Sequence, residues 1–275
     1  MEKLQAALQK ARQSRGEAAP ATAATAGPGP GPAATPESRV DALWAGLQTL
    51  EVDDKQLERR RVVTRDAGPS ATPFDILRTK VLLLMRQNGW RRLAITSPMP
   101  NSGKTTTACN LALGLGRQRD LRSILLDLDL RDPSVNQFFQ TEPKQTIGRV
   151  LTGDVQFSDQ AMRIGDNVAV SMARRPETDP TRLLLSEETA ETIDKIERDF
   201  NPDLMIFDLP SVLVHDDTRA FLKNADCALI VIRANQTRYT HFDNCEREIA
   251  EQTNVLGVVL NAYTNAQADL GKDAK

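Results

Sequence analysis

The chain has 275 residues, of which 40% are hydrophobic and 26% are charged, and its formal net charge is −2. A chain of this length can bury one substantial core, so we expect one domain of about 200 residues and a poorly structured leader. The small negative charge argues against a protein whose main task is to hold nucleic acid or another anionic surface. No run of about 18 uninterrupted apolar residues occurs and no secretory signal follows Met1, so the sequence predicts no membrane span.

Residues 1–72 are predicted to form a flexible leader with two short amphipathic pieces. Residues 2–15 follow a helical pattern whose apolar stripe either docks on another surface or lies in solvent. Residues 16–37 are rich in Ala, Pro, Gly and Thr, a composition typical of a linker. The second amphipathic piece contains Trp44, which we expect either to pack on the domain or to contact a partner.

The folded domain is predicted over residues 73–265, followed by a disordered tail at 266–275. Apolar runs predict strands at 92–96, 123–130, 167–173, 204–210, 227–233 and 255–261. Helical patterns predict helices at 74–87, 104–118, 181–199, 216–224 and 238–252. Alternating strands and helices predict an α/β fold of three layers, with a mostly parallel central sheet and helices on both faces.

A loop rich in Pro, Ser and Gly follows the first strand and ends on Gly103, Lys104 and Thr105. The N–H groups of such a loop form an anion site, Lys104 can reach the β- and γ-phosphates, and the Thr105 hydroxyl can bind Mg²⁺. Pro98 stands where the pattern G-x-x-x-x-G-K-[ST] has its first glycine. The loop therefore predicts a P-loop NTPase fold that binds ATP and Mg²⁺. Its predicted nucleotide-binding residues are Asn101, Ser102, Gly103, Lys104, Thr105 and Thr106.

Acidic residues interrupt or end two apolar strands. Asp127 and Asp129 alternate within one predicted strand, so we expect both side chains on the same face, and Asp208 ends another just before Pro210. Burying carboxylates without a partner is costly, and Mg²⁺ with a bound triphosphate is their natural partner. We predict that Thr105, Asp129 and Asp208 hold the metal and that Lys104, Asp127 and Asp129 are catalytic.

Several other polar residues have weaker signals. Arg131 either contacts phosphate or substrate, or pairs with Asp132 or Asp203. His215 and His241 have no metal-ligand spacing, and we expect neither to bind metal. The three cysteines lack C-x-x-C pairing, so we interpret them as reduced thiols of a cytosolic protein.

Four segments together resemble a known family. They are SPMPNSGKTTTACNLA, LLDLDLRDPS, IFDLPSVLVHDD and VLGVVLNAY. This set is similar to the bacterial tyrosine kinases (BY-kinases) of polysaccharide synthesis, which belong to the deviant-Walker P-loop class together with ParA- and MinD-type ATPases. The segment LRTKVLLLMRQNGW ahead of the first strand resembles the exosortase-associated tyrosine autokinase subgroup most closely.

The resemblance implies a role for each matching residue. Lys104 and Thr105 would grip phosphate and magnesium. Asp127 would accept the proton of the attacking tyrosine hydroxyl. Asp129 would support the metal, and Asp208 would complete its coordination shell.

The resemblance also implies ligands and partners. Asn261 matches the position that reads adenine in the wider class. The implied activity is Mg²⁺-dependent phosphoryl transfer from ATP to protein tyrosine, which regulates the polymerisation and export of exopolysaccharide or capsular polysaccharide. The implied partner is a membrane polysaccharide co-polymerase or chain-length regulator, through which a cytoplasmic protein would lie at the inner membrane. A homo-oligomer is among the assemblies that the resemblance allows.

The sequence departs from the family in its tyrosines and after the last acidic strand. BY-kinases usually end in a tyrosine-rich tail, whereas this sequence has only Tyr239 and Tyr263. The usual Pro-Pro after that strand is Pro210-Ser211 here. An alternative function is therefore a nucleotide-dependent interaction protein, or a slow ATPase, that docks the co-polymerase without tyrosine autophosphorylation.

Two further features distinguish this sequence within the class. The family's subunit-docking pattern Glu-x-x-Arg-x-x-Arg reads Thr72, Asp75 and Arg78 here, so only the last residue is kept. Met99 stands where ParA- and MinD-type loops carry a lysine that reaches across a dimer. A methionine cannot stabilise phosphate charge, which argues against a third alternative, a ParA/MinD-like positioning ATPase.

Overall fold

A computed structural model describes residues 35–263 of the chain. The predicted amphipathic piece at 2–15, nearly all of the linker and the predicted tail at 266–275 lie outside the described residues. Within the described range, no helix is both long enough and apolar enough to cross a membrane.

The strands of the described residues form one sheet. Their bounds are Gln48–Thr49 (β1), Arg92–Thr96 (β2), Ser123–Asp127 (β3), Met162–Ile164 (β4), Val168–Ser171 (β5), Leu204–Asp208 (β6), Cys227–Arg233 (β7) and Asn254–Asn261 (β8). Their spatial order is β1-β4-β5-β3-β6-β2-β7-β8, so β1 and β8 are the two edges. Every neighbouring pair is parallel except β4 with β5, which confirms the mostly parallel sheet.

Helices cover both faces of this sheet. Their bounds are Pro36–Gly46 (α1), Asp54–Arg59 (α2), Thr72–Asn88 (α3), Lys104–Gly116 (α4), Val135–Phe138 (α5), Ile147–Leu151 (α6), Phe157–Gln160 (α7), Pro180–Leu185 (α8), Glu187–Phe200 (α9), Asp217–Leu222 (α10) and Tyr239–Ala250 (α11). Side chains alternate along β2: Leu93 and Ile95 join the core under α3 and α4, whereas Ala94 joins the core under α9, α10 and α11. Three layers result, as the sequence predicts.

Two predicted elements differ most from those observed. β3 ends at Asp127 rather than at residue 130, and Leu128 and Leu130 are buried beyond the sheet. Asp129 therefore lies past the strand, so strand alternation does not relate its side chain to that of Asp127. The helix predicted at 181–199 is two helices, because Ser186 ends α8 and caps α9.

Packing against the sheet begins before residue 73. We call residues 36–64 the N-terminal strap. Trp44 is buried against α9, where its indole N–H donates to the carbonyl of Phe200 at 2.8 Å. Leu57 and Val62 are buried in the opposite core, under α4. The strap thus passes from one face of the sheet to the other at the β1 edge, and the prediction that Trp44 packs on the domain is confirmed.

Candidate nucleotide site

The predicted phosphate loop joins β2 to α4. Residues 97–103 form the loop, and α4 begins at Lys104, so the first N–H groups of this helix lack intrahelical acceptors. Asn101 and Gly103 have positive φ angles of 62° and 91°, which curl the backbone. This is the strand-loop-helix order that an anion site requires.

Hydroxyl groups hold the loop closed although Pro98 replaces the first glycine. The Met99 carbonyl accepts hydrogen bonds from the hydroxyls of Ser97 at 2.8 Å and Ser102 at 2.7 Å. The N–H of Val212, in the segment after β6, donates to the Ser97 carbonyl at 2.9 Å. The loop is therefore shaped by its own serines and by the segment that follows β6.

Two side chains from other strands also contact the loop. Arg233 Nη1 donates to the Asn101 carbonyl at 2.9 Å, and Asn261 Nδ2 donates to the Ser102 carbonyl at 2.8 Å. A Cβ atom added to Gly103 would lie 2.0 Å from Asn261 Nδ2, so only glycine fits there. The predicted Asn261 is thus at the site, but its amide donates to the loop. Arg233 was missed; its signal is a lone charge that ends the apolar run CALIVIR.

Asp127 and Asp208 lie side by side beneath the loop. They are register partners in β3 and β6, and both are completely buried. Asp127 Oδ2 accepts a hydrogen bond from the N–H of Val135 at 3.2 Å. Asp127 Oδ1 and both carboxylate oxygens of Asp208 have no hydrogen-bond partner among the described residues.

Burial shifts the pKa of each of these carboxyl groups upward. It raises the pKa of Asp208 to about 7, against the opposing effects of the Lys104 ammonium and the Thr105 hydroxyl. The pKa of Asp127 lies well above its usual range because of burial and of the nearby charge of Asp208. Such shifts express the cost of holding negative charge in a buried site.

Asp129 lies closer to the cleft than the other two acids. Its Oδ2 is 3.8 Å from Lys104 Nζ, and its Oδ1 accepts from the N–H of Asp132 at 3.3 Å. Burial raises the pKa of Asp129, and the Lys104 ammonium opposes the rise. The Thr105 hydroxyl accepts a hydrogen bond from Ser134 at 3.2 Å. The predicted residues are therefore brought together around Lys104.

This donor set fits a magnesium ion with a polyphosphate. Buried carboxylate oxygens without partners, a hydroxyl and an ammonium are the groups that such a ligand would pair with. Among residues 35–263, no group of three or more His, Cys, Asp or Glu could hold a metal ion on its own. A magnesium ion here would take its remaining ligands from phosphate oxygens and water, as it commonly does.

A cleft of about 700 Å³ opens above the loop. Its wall includes Lys104, Thr105, Asp129 and Asn261, whereas Asp127 and Asp208 lie beneath it. This volume falls within the usual range for small-molecule sites.

Arg131 lies on the cleft wall with a partner that the sequence did not indicate. Its guanidinium makes two hydrogen bonds to Asp217, at 2.6 and 3.1 Å, and Asp217 also accepts from the Thr181 hydroxyl. The expected ion pairs with Asp132 or Asp203 are wrong; Asp203 instead accepts from the N–H of Arg122.

The N-terminal strap reaches the same cleft through Arg61. Arg61 lines the wall, and its carbonyl accepts from Asn110 Nδ2 at 2.9 Å. The side-chain Oδ1 of Asn110, on α4, also accepts a hydrogen bond from the N–H of Val63 at 2.9 Å. The backbone carbonyl of Asn110 accepts one from the Thr64 hydroxyl. The sequence missed Arg61, although it stands in the basic triplet 59–61.

The residues that match the family's docking pattern are engaged within this chain. Arg78 donates to Asp75 at 2.9 Å and to the Gly114 carbonyl at 2.9 Å, and Arg117 donates to Asp75 at 2.8 Å. These contacts tie α3 to α4.

Sequence comparison supports a nucleotide site. The model of the CobQ/CobB/MinD/ParA nucleotide-binding domain matches residues 93–274. The tyrosine-protein kinase CpsD of Streptococcus agalactiae serotype Ia is 24% identical over 225 residues, which cover 81% of this chain and 92% of CpsD. EpsB of Ralstonia nicotianae is 27% identical over 201 residues, which cover 70% of this chain but only 26% of EpsB. The chain thus spans about a quarter of EpsB.

Solved structures share the fold. The chimerical protein CapA2B2 gives a TM-score of 0.68 at 22% identity, covering 84% of this chain and 100% of that one. The kinase domain of the Escherichia coli tyrosine kinase ETK gives 0.68 at 20% identity, covering 80% and 84%. Cobyrinic acid a,c-diamide synthase of Mycobacterium smegmatis, solved with an ATP analog and magnesium, gives 0.55 at 21% identity, covering 67% and 79%. The predicted P-loop fold is confirmed.

Proposed function

The chain belongs to the CobQ/CobB/MinD/ParA nucleotide-binding family, and from that premise we propose that it binds ATP with Mg²⁺ and transfers phosphoryl groups to protein tyrosine. One observation carries the proposal. Within residues 35–263, three carboxylate oxygens of the buried Asp127 and Asp208 lack hydrogen-bond partners, and the ammonium of Lys104, the only charged residue of the P-loop, acts on Asp208. A protein that held these acids for stability alone would pair them.

In this proposal each residue of the site has a task. The loop residues 101–106 and Lys104 bind the polyphosphate, and Thr105 and Asp208 hold the metal with support from Asp129. When bound, ATP would supply the phosphoryl group and Mg²⁺ would neutralise part of its negative charge. The chain itself contributes position and electrostatics, which are the main needs of phosphoryl transfer.

The proton of the acceptor hydroxyl needs a carboxylate that can take it. We assign that role to Asp127, because burial and the nearby charge of Asp208 raise the pKa of its carboxyl group, and a raised pKa makes a carboxylate a stronger base. Asp127 is completely buried and Asp129 lines the cleft, so Asp129 is the competing candidate.

The similarity to CpsD and EpsB supports the wider role. We propose that the chain regulates exopolysaccharide or capsular polysaccharide synthesis, polymerisation and export from the cytoplasmic side of the inner membrane. Its partner would be a membrane polysaccharide co-polymerase. The assignment to the exosortase-associated subgroup stays a prediction that rests on the segment 77–90.

The test uses the purified chain with ATP and Mg²⁺. Calorimetry measures binding, a phosphate assay measures turnover, and an antibody detects phosphotyrosine. We expect Asp127→Asn to lower turnover strongly and Asp129→Asn to weaken binding. Asp120→Asn, an exposed carboxylate ahead of β3, should match the wild type. Turnover unchanged by Asp127→Asn would remove Asp127 from the mechanism, and no heat from ATP with Mg²⁺ would refute the nucleotide site.

The second candidate is a nucleotide-dependent interaction protein or slow ATPase without tyrosine phosphorylation. It is favoured by the two lone tyrosines of this sequence and by the internal use of Asp75 and Arg78. Tyr239 is 78% exposed and Tyr263 is 65% exposed, so either could reach another molecule's cleft. Phosphate release with no phosphotyrosine, unchanged by Tyr239→Phe and Tyr263→Phe, would favour this candidate.

A ParA/MinD-like positioning ATPase is the third candidate, and Met99 argues against it. We expect Met99→Lys to form no nucleotide-dependent dimer. A dimer that appears only with ATP would favour this third candidate. Light scattering with and without ATP measures this directly.

A further inference from the structure

The ends of two neighbouring strands hold consecutive carbonyls of the phosphate loop. Arg233 ends β7 and Asn261 ends β8, and the two residues are register partners. Arg233 donates to the Asn101 carbonyl and Asn261 donates to the Ser102 carbonyl. Two adjacent side chains therefore act on two adjacent peptide groups.

Because each peptide group is planar, these two hydrogen bonds also fix the orientation of N–H groups in the loop. In a planar trans peptide the carbonyl of one residue and the N–H of the next point in opposite directions. Fixing the Asn101 carbonyl thus fixes the N–H of Ser102, and fixing the Ser102 carbonyl fixes the N–H of Gly103. Each N–H is turned away from the donor side chain. Among the described residues, the Gly103 N–H donates no hydrogen bond.

Both polar atoms of the Asn261 side chain are hydrogen-bonded within the chain. Its Nδ2 donates to the loop, and its Oδ1 accepts from the N–H of Ala262 at 2.8 Å. The contact is also tight, because a Cβ on Gly103 would overlap Nδ2. A carboxamide engaged at both ends is oriented by the protein itself.

We propose that Arg233 and Asn261 are positioning residues that hold the phosphate-loop amides in place for the polyphosphate, independently of the nucleobase. The proposal rests on the proposed nucleotide function. It gives Asn261 a different task from the reading of adenine that its position in the family implies. The two tasks separate cleanly, because tripolyphosphate has the phosphates of ATP but no base.

The experiment measures binding of ATP and of tripolyphosphate, each with Mg²⁺, by calorimetry on the full chain. We expect Asn261→Ala to weaken both ligands by about tenfold, the effect of roughly one lost hydrogen bond of 1.4 kcal/mol. Arg233→Gln should do the same, and Arg233→Lys, which keeps a charged donor, should recover most of the affinity. Asn261→Ala is the deciding variant, because it removes no charge.

Matched controls lie on β8 and in the segment after β7. Asn254→Ala removes an amide-carbonyl bond at the other end of β8, and Arg238→Gln removes an exposed cation in the segment after β7. Both should leave the affinity for each ligand unchanged. Thermal melting shows whether each variant is folded, and Asn261→Ser replaces Asn261→Ala if the latter unfolds.

The outcomes distinguish the two hypotheses. Loss of ATP affinity with unchanged tripolyphosphate affinity in Asn261→Ala would overturn the proposal and return Asn261 to base recognition. Unchanged affinity for both ligands would overturn it as well. A wild-type chain that binds neither ligand would refute the proposed nucleotide function itself.

Discussion

The N-terminal strap and the acid cluster beneath the phosphate loop, Asp127 and Asp208, both bury polar groups. They differ in whether those groups have hydrogen-bond partners. In the strap, the Trp44 indole N–H and the Thr64 hydroxyl each have a protein partner. In the acid cluster, Asp208 has no hydrogen-bond partner among the described residues. An unpaired buried polar group costs free energy, so the paired groups of the strap contribute to stability, whereas the unpaired acids fit the nucleotide and metal that we propose for this site.

The largest change should come from the strap. Trp44→Ala removes a fully buried ring that packs edge-on against Phe200, and we expect a loss of about 3–5 kcal/mol in the free energy of unfolding. Urea denaturation measures the loss, and calorimetry should find ATP affinity unchanged in the folded variant. Trp90→Ala, at a half-buried tryptophan, is the control and should cost less. Weaker ATP binding by Trp44→Ala would break the separation of the two regions.

At the candidate nucleotide site, a substitution should lower activity rather than stability. Lys104→Ala removes the ammonium that faces Asp129 and Asp208, and we expect turnover to fall by about 10²–10³, comparable to the loss of one preorganised donor. A phosphate assay measures turnover. Lys144→Ala changes an exposed lysine and serves as control. Turnover within a few-fold of wild type would contradict the assignment of Lys104.

Asn110 connects the two regions and sharpens the comparison. Asn110→Ala removes the bonds to Arg61 and Val63, so we expect a loss of about 2 kcal/mol in stability and a few-fold weaker ATP binding through Arg61. Denaturation and calorimetry measure the two effects. Asn88→Ala removes an exposed amide bond to the Leu84 carbonyl and should change neither. A stability loss with no effect on ATP would show that Arg61 does not contribute to binding.

The smallest expected effect is a pH dependence of the ligand-free protein. The pKa of Asp208 is raised from 3.8 to about 7, so the folded state keeps a proton that the unfolded state has already lost. The stability from this group is full below pH 3.8 and falls as pH rises through 7, by on the order of 1 kcal/mol between pH 6 and pH 8. Urea denaturation at several pH values measures the slope.

Asp208→Asn should remove that part of the slope, because an amide does not titrate. Asp120→Asn should leave it unchanged. An identical slope in Asp208→Asn and wild type would show that Asp208 is ionised in the folded, ligand-free chain.

Continuous apolar runs made the central strands predictable. β2 and β7 lie at 92–96 and 227–233, as predicted, because each run is bounded by polar or turn residues. β3 was predicted too long, since Leu128 and Leu130 are as buried as the strand itself. Hydrophobicity records burial, and it does not tell whether the backbone still pairs in the sheet.

Only the first helix of the strap was predictable from the local pattern. The strap is divided into two short helices and the two-residue β1, and its partners Asn110 and Phe200 are distant in sequence. The candidate site was predictable where a motif has fixed spacing, as in residues 101–106. Arg233 was not, because its bond to the loop joins residues that are far apart in the chain.

The two edges of the sheet differ in a way that bears on self-association. β1 is only two residues long, and the strap that contains it covers that side. β8 has eight residues with no charge and no proline, and its Val258 and Leu260 are 43% and 51% exposed. Long apolar edge strands without charged residues are where strands of other molecules add and where aggregates nucleate. We therefore expect this protein to self-associate through the β8 edge in concentrated solution. Val258→Lys should suppress that association.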